Sequence, residues 1–407
     1  MNPRRFARGL STAGSILIAI NSSRAQNWVQ TSADTNYEWQ AIACSTNGSK
    51  MAAVAYDDGL GDGGPVYTST NMGALWLRTG APTNFAWQSV ASSGDGSKLV
   101  AAIYQDLLSN PGHIFVSTNS GRNWKPTSAP ADNWLGVASS SDGSRLVAVD
   151  SGSGDGLIYV STNSGNNWNP SGAPGNFWSS VASSADGLKL AAADSGFGDG
   201  LIYVSTNSGA TWNQTTAANN PWSCIASSAD GSRLAAANSG FGDGRIYVST
   251  NSGTTWNPTA APTNQWSSIA SSADGLRLVA ADSGYGDGLI YISTDGGESW
   301  ASVSPIGFWN SVATSADGSV LSAVTYPGGI YVSQLAPVLS IAQAGGNAVI
   351  SWPNLSSTSG FMLQQNPTPV GTNWMAVGTQ PSQTNGVNQV SVPMSPNGSR
   401  FFRLKGP

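Results

Sequence analysis

The chain has 407 residues, 40% of them hydrophobic and 10% charged, with 49 Gly and 16 Trp. That is enough apolar material for a large core, and it excludes a disordered chain. Beyond residue 25 only 13 Lys/Arg face 22 Asp/Glu, a formal charge near −9 that excludes a basic nucleic-acid footprint and disfavours an anionic membrane.

In chain order, residues 1–25 read first as a targeting segment. Arg4, Arg5 and Arg8 make a positive start, residues 10–20 (LSTAGSILIAI) are apolar, and Ser23 and Ala25 form a small-x-small cleavage pattern before Gln26. The apolar stretch is too short to span a bilayer, and no later stretch is longer. An exported protein is expected, extracellular or in the periplasm or cell envelope. Cys44 and Cys224 stand on non-adjacent repeats at positions otherwise held mostly by Ser, Ala or Gly, and read as two small buried thiols.

From Trp28 onward the chain repeats. Turn tryptophans stand at Trp28, Trp76, Trp124, Trp168, Trp212, Trp256 and Trp300, spaced by 48, 48, 44, 44, 44 and 44 residues. A second series follows each by nine to eleven residues: Trp39, Trp87, Trp134, Trp178, Trp222, Trp266 and Trp309. Each unit then runs through an SVASSADG-like stretch, a LAAAD-like run, a glycine-rich loop and IYVST. Gly, Asn, Ser or Pro every few positions excludes helix, leaving four short strands per unit. Four strands in about 44 residues, seven times over, is the arithmetic of a β-propeller blade.

The ends of the repeat are complementary. Residues 27–31 form a Trp strand with no IYVST before it, and residues 330–334 form an IYVSQ strand with no Trp strand after it. The two should pair and close the ring, whereas an open solenoid would need atypical capping repeats. The innermost strand of each unit should begin at the second tryptophan and the outermost at the first. Ile42, Val90, Val137, Val181, Ile225, Ile269 and Val312 should form the stripe between blades. After residue 335 the period stops, and period-2 patches between turns read as a small β-sandwich with Trp352 and Trp374 as core anchors. The expected fold is all-β: a leader over 1–25, a closed seven-bladed propeller over 26–334 and a sandwich over 335–407.

The turn STNSGATW, residues 205–212, resembles the Asp-box, or bacterial neuraminidase repeat, whose pattern is S-x-D-x-G-x-x-W. Asn207 and Trp212 occupy its third and last positions. Asn71 and Trp76, Asn119 and Trp124, Asn163 and Trp168, and Asn251 and Trp256 do the same, while Asp295 and Trp300 keep the family's aspartate. The resemblance implies a sialidase-like propeller superfamily, with the boxes on the face opposite the active site. A short polar side chain can bond its own turn, glycine supplies positive φ and tryptophan covers the turn, so the boxes are expected to be structural. The C-terminal segment is similar in pattern to fibronectin type III or immunoglobulin-like modules.

Function is therefore expected on the other face, where the second-to-third connections are DDGLGDGG (57–64), DSGSGDG (150–156), DSGFGDG (194–200), NSGFGDG (238–244) and DSGYGDG (282–288). They should form an acidic rim set with rings. Phe197 with Asp199, Phe241 with Asp243, and Tyr285 with Asp287 suit stacking on a sugar or contact with a protein. The alternation of Gly and Asp also suggests calcium, with Asp150, Asp155, Asp194, Asp199, Asp282 and Asp287 as ligands and no other cofactor expected. A plainer reading is that glycine permits a tight crossing and aspartate caps the loop backbone.

A catalytic centre should break the repeat symmetry. The ionisable residues that do so are Glu38, Asp57, Asp58, Asp62, Asp106, His113 and Asp132. The glycosidase pair among them is Glu38 with Asp58 or Asp106. The sialidase resemblance implies three clamping arginines beside a Tyr–Glu pair, but Arg145, Arg233 and Arg277 occupy repeated turns on the box face and Arg122 lies in a box. Only Arg245 is near the loop face. Other boxed propellers are endoglucanases or assembly factors that bind a protein. The expected function is an exported, non-catalytic recognition or scaffold protein for a glycan or an envelope or extracellular protein. A glycoside hydrolase other than a sialidase, or a structural surface protein, are the alternatives.

Overall fold

The computed structural model describes residues 17–19, 27–59, 61–106, 108, 110–152, 155–196, 199–240, 243–334, 339–344, 346–353, 362–368, 373–384, 387–393 and 400–405. The chain divides into two compact units, Asn27–Ser333 and Gln334–Pro407 with Met1–Gln26.

The described strands of the first unit form seven four-stranded sheets. In the fourth, Trp178–Ser183 pairs with Leu190–Asp194, which pairs with Ile202–Ser205, which pairs with the two-residue strand Asn213–Gln214, all antiparallel. The seventh draws on both ends of the unit: Trp309–Thr314, Val320–Thr325, Ile330–Gln334 and then Asn27–Gln30. There the Thr31 amide donates to Ile330 O at 2.8 Å. Repeated four-stranded antiparallel sheets of this kind make a β-propeller.

The inner strands explain their own composition. Each is a sheet edge, so alternate amides find no partner within the sheet. Serines on the preceding sheet accept them: Ser89 Oγ from Val137 N, Ser180 Oγ from Ile225 N and Ser268 Oγ from Val312 N, each at 3.2 Å, and Ser311 Oγ from Ile42 N at 3.3 Å. The serine-rich inner strand is thus a row of inter-sheet connectors. Ile42, Val90, Val137, Val181, Ile225, Ile269 and Val312 are all buried beside it.

A second series of bonds links the turns after the inner strands. Thr46 N donates to Gly94 O, Gly94 N to Ser141 O, Ser141 N to Ala185 O, Ala185 N to Ala229 O, Ala229 N to Ala273 O and Ala273 N to Ala316 O, over 2.7–2.9 Å. Ala316 N then donates to Thr46 O at 2.8 Å, returning to the start.

The second-series tryptophans carry the core. Trp39, Trp87, Trp134, Trp178, Trp222, Trp266 and Trp309 are all fully buried. Each packs near edge-on against the Tyr or Phe of its own third strand, as Trp178 does on Tyr203 with centroids 5.5 Å apart. The box tryptophans are less enclosed. Trp76 and Trp168 are buried, but Trp124, Trp212, Trp256 and Trp300 are only half-buried.

In the second unit, two four-stranded sheets pack over Leu339, Ile350, Trp352, Leu363, Val390 and Phe402. One joins Ser340–Ala344, Asn347–Pro353, Val387–Pro393 and Ser382–Thr384; the other joins Leu17–Ala19, Arg400–Lys405, Met362–Asn366 and Met375–Ala376. Trp352 is a core anchor, but Trp374 is not: it is partly exposed, with the Arg403 guanidinium 4.4 Å from its ring centroid. Residues 17–19, expected within a leader, run parallel to Arg400–Phe402 as an edge strand. Cys44 and Cys224 are unpaired thiols. Among the described residues no helix is long and apolar enough to cross a membrane.

Candidate functional site on the loop face

The box turns and the turns after the inner strands share one face. Ser208 of a box donates its amide to Leu188 O at 2.8 Å and its hydroxyl to Gly187 O at 3.1 Å. Arg145 Nη1 donates to Ser208 Oγ at 2.9 Å, which places this arginine on that face and away from any substrate clamp. Within the box, Asn207 Oδ1 accepts from Ser205 Oγ at 3.0 Å and from Thr211 N at 2.9 Å, while Ser205 Oγ accepts from Gly209 N at 2.9 Å. Asp295 makes the same bonds with Ser293 Oγ (2.7 Å) and Ser299 N (2.9 Å), so either side chain closes the turn. These groups are occupied by their own loop.

The opposite face carries the glycine-rich connections. Their first acids do not form a rim: Asp150, Asp194 and Asp282 are buried. Asp150 Oδ2 accepts from Leu157 N at 3.0 Å, Asp194 Oδ1 from Gly196 N at 2.9 Å, and Asp282 Oδ1 from Gly284 N at 3.1 Å. Burial pushes Asp150 up to about 6, helped by the charges of Asp132 and Asp155, and raises Asp194 and Asp282 as well. In the fourth sheet's neighbour the amide Asn238 takes this place, accepting from Gly244 N at 2.8 Å and donating to Asp243 Oδ1 at 2.6 Å. The closing glycine is a steric requirement, because a Cβ on Gly200 would lie 2.0 Å from Asp194 O and one on Gly288 1.9 Å from Asp282 O.

The second acids, Asp155, Asp199, Asp243 and Asp287, are exposed. Asp243 is also engaged locally, with Tyr247 Oη donating at 2.5 Å and Arg245 N at 3.1 Å. Its burial opposes ionisation, but these bonds outweigh it and hold the carboxyl below its usual range. Phe197 and Phe241 lie outside the described residues, as does the side chain of Tyr285, whose backbone forms a short 3-10 turn over Gly284–Gly286. No three His, Cys, Asp or Glu side chains converge among the described residues.

The candidate acids each have local partners. Asp106 Oδ1 accepts from Leu108 N and Asn110 N, both at 2.8 Å, and Oδ2 from Asn110 Nδ2 at 2.8 Å. Those bonds, Asn110 foremost, hold Asp106 below the usual carboxylate range, the reverse of what a general acid needs. Asp58 Oδ1 accepts from Asp62 N at 3.4 Å, while neighbouring Asp57 accepts from Gly59 N at 2.6 Å and Gly61 N at 3.0 Å. Glu38, half-buried and opposite Asp57 in register, accepts from Tyr326 Oη at 2.9 Å. Burial, then the bond and charge of Glu38, push the Tyr326 phenol up to about 12.

Tyr326 escaped the sequence reading, as did its neighbours Ile306 and Phe308. Tyr326 N donates to Phe308 O at 3.0 Å, and the exposures of Ile306, Phe308 and Tyr326 are 67%, 45% and 38%. The signal lay in the alignment. Directly before the second-series tryptophan the other units carry Glu38, Ala86, Asn133, Phe177, Pro221 and Gln265, and three before it none has a large apolar residue. The seventh unit has Phe308 and Ile306 there, and YPGG in place of a DSGxGDG loop.

Comparison with known proteins agrees with this architecture. The BNR/Asp-box repeat family matches residues 291–302, the box that keeps Asp295. No curated protein matches the sequence. Among solved structures, one described as YCF48 bound to D1 peptide superposes with a TM-score of 0.56 at 14% identity, covering 80% of this chain and 99% of that one. Similarity at this identity establishes the propeller fold, and 1623 solved chains match, so the fold by itself selects no function.

Proposed function

We propose that the chain is a closed, seven-bladed Asp-box propeller with a fibronectin- or immunoglobulin-like sandwich, exported, and that it serves as a non-catalytic recognition scaffold holding a partner on its loop face. Ring closure is supported by the turn-to-turn bonds that return from Ala316 to Thr46 and by the bond from Thr31 to Ile330. The observation that carries the functional reading is the employment of the loop-face carboxylates. Asp57, Asp106, Asp150, Asp194 and Asp282 cap their own loops, and a capped carboxylate serves geometry better than acid–base chemistry. The YCF48 structure holds a peptide, which favours a protein over a glycan as the class of partner here.

The test is retention of the protein on peptide and glycan arrays, with EDTA in a parallel set. Binding that survives EDTA is expected, and retention by nothing above background would refute the reading. The Tyr326–Glu38 contact keeps one rival, a glycoside hydrolase using Glu38 with Asp58 or Asp106. Release of reducing ends from a polysaccharide panel, abolished by Glu38→Gln, would establish that rival.

A further inference from the structure

The loop face has a preferred place to bind. Its connections follow one pattern in the third to sixth sheets and depart from it in the second, over residues 104–113, and where the seventh sheet meets the first; at the latter junction exposed apolar side chains gather beside carboxylates. Ile306 and Phe308 flank Gly307, whose amide donates to Gly288 O at 3.0 Å, and both side chains are exposed. The Phe308 ring rests on Gly286, where a Cβ would approach its Cζ to 2.7 Å. Tyr326 lies beside Phe308 and reaches Glu38, which faces Asp57 across the first sheet. Three exposed apolar side chains therefore border two carboxylates.

Charge says what would cover them. Eight of the 22 acidic residues lie in the box-face turns; the other fourteen lie in the loop-face connections or the strand ends beside them. Counted in the same way, the Lys and Arg residues there are two, Arg245 in a connection and Arg78 at the loop-face end of the strand Leu77–Arg78. The box face by contrast interleaves its acids with Lys50, Lys98, Arg145, Lys189, Arg233 and Arg277. A face so unbalanced attracts cations and repels acidic partners.

We propose that Ile306, Phe308 and Tyr326, bordered by Glu38 and Asp57, dock a peptide segment of a partner protein in which an apolar residue stands next to Lys or Arg. The apolar side chain covers Phe308 and Ile306, and the cation reaches the carboxylates in a charge-assisted bond. This rests on the recognition reading above and specifies its partner.

The test selects a phage-displayed random dodecapeptide library on the full chain, on the Ile306→Ser/Phe308→Ser double variant and on Glu38→Gln. Because Ile306 and Phe308 are exposed and the amide of Glu38→Gln can still accept from Tyr326 Oη, melting temperature should match wild type. Enrichment of peptides pairing Leu, Ile or Phe with Lys or Arg is expected. A synthetic peptide from that pool should lose at least ~10-fold in affinity on the double variant and about 3-fold on Glu38→Gln, and should weaken as NaCl is raised. Enriched peptides that are acidic or neutral, or basic ones that bind the double variant equally well, would overturn this site and leave the recognition reading standing. So would glycan binding without peptide binding, or a dimer that Phe308→Ser dissociates. Failure of every ligand would overturn both.

Discussion

Asp150→Asn replaces a buried carboxylate with the amide that the chain already uses at the equivalent Asn238. In the folded protein Asp150 titrates near 6 against an ordinary value of 3.8. At roughly 1.4 kcal/mol per unit, the ionised side chain therefore costs up to ~3 kcal/mol. A raised folded-state value means that the stability contributed by the protonated form is fully present below about pH 4 and is lost as pH rises through 6. At pH 7 the variant should be more stable than wild type by about 1–3 kcal/mol, because the amide keeps the bond from Leu157 N and escapes the charge penalty. For a unit of this size that is an increase of about 2–5 °C in Tm. The gap should close on going down to pH 4. Thermal unfolding of both proteins between pH 4 and 8, followed by circular dichroism, measures it. A variant that is less stable at pH 7, or a gap that does not change with pH, would refute the assignment of Asp150 as a strained internal cap.

Three further outcomes follow from the same geometry. Trp178→Ala should destabilise the first unit by ~3–5 kcal/mol and Trp212→Ala by clearly less, since only Trp178 is fully enclosed; urea titrations that rank them in reverse would return the core to the boxes. Gly200→Ala should cost about 3 kcal/mol in the same assay, because its Cβ would meet Asp194 O at 2.0 Å. Asn207→Asp should leave stability at pH 7 little changed and add an acid-sensitive term. Asp295 in the same place is held at about 2, foremost by Ser299, so its contribution is present above about pH 4 and lost as pH falls from there towards 2; acid unfolding of the variant unchanged from wild type would contradict that.

The repeat was legible because a blade is a local unit. Its turn residues, Asn207, Gly209 and Trp212 for example, recur at fixed offsets, and four strands must fit between them. Which tryptophan fills the core was not legible, since two series with one side chain differ only in which lies between sheets. The loop acids misled for a related reason. A DSGFGDG string looks like an exposed acidic loop, yet the crossing that brings Gly200 against Asp194 O also buries Asp194. Glu38 stood out by its broken symmetry, whereas Tyr326, Phe308 and Ile306 lie in a unit that lacks a DSGxGDG-type string, outside the loops whose repeated rings and acids drew attention. Their departure is apolar, and it gains meaning only when the seventh sheet lies beside the first.

The most direct test of recognition without catalysis is mass spectrometry of a defined array of peptides and polysaccharide fragments, recovered after incubation with the full chain. Selective retention of peptide ligands at unchanged mass is expected. Fragments shortened by hydrolysis, with the shortening lost in Glu38→Gln, would contradict it.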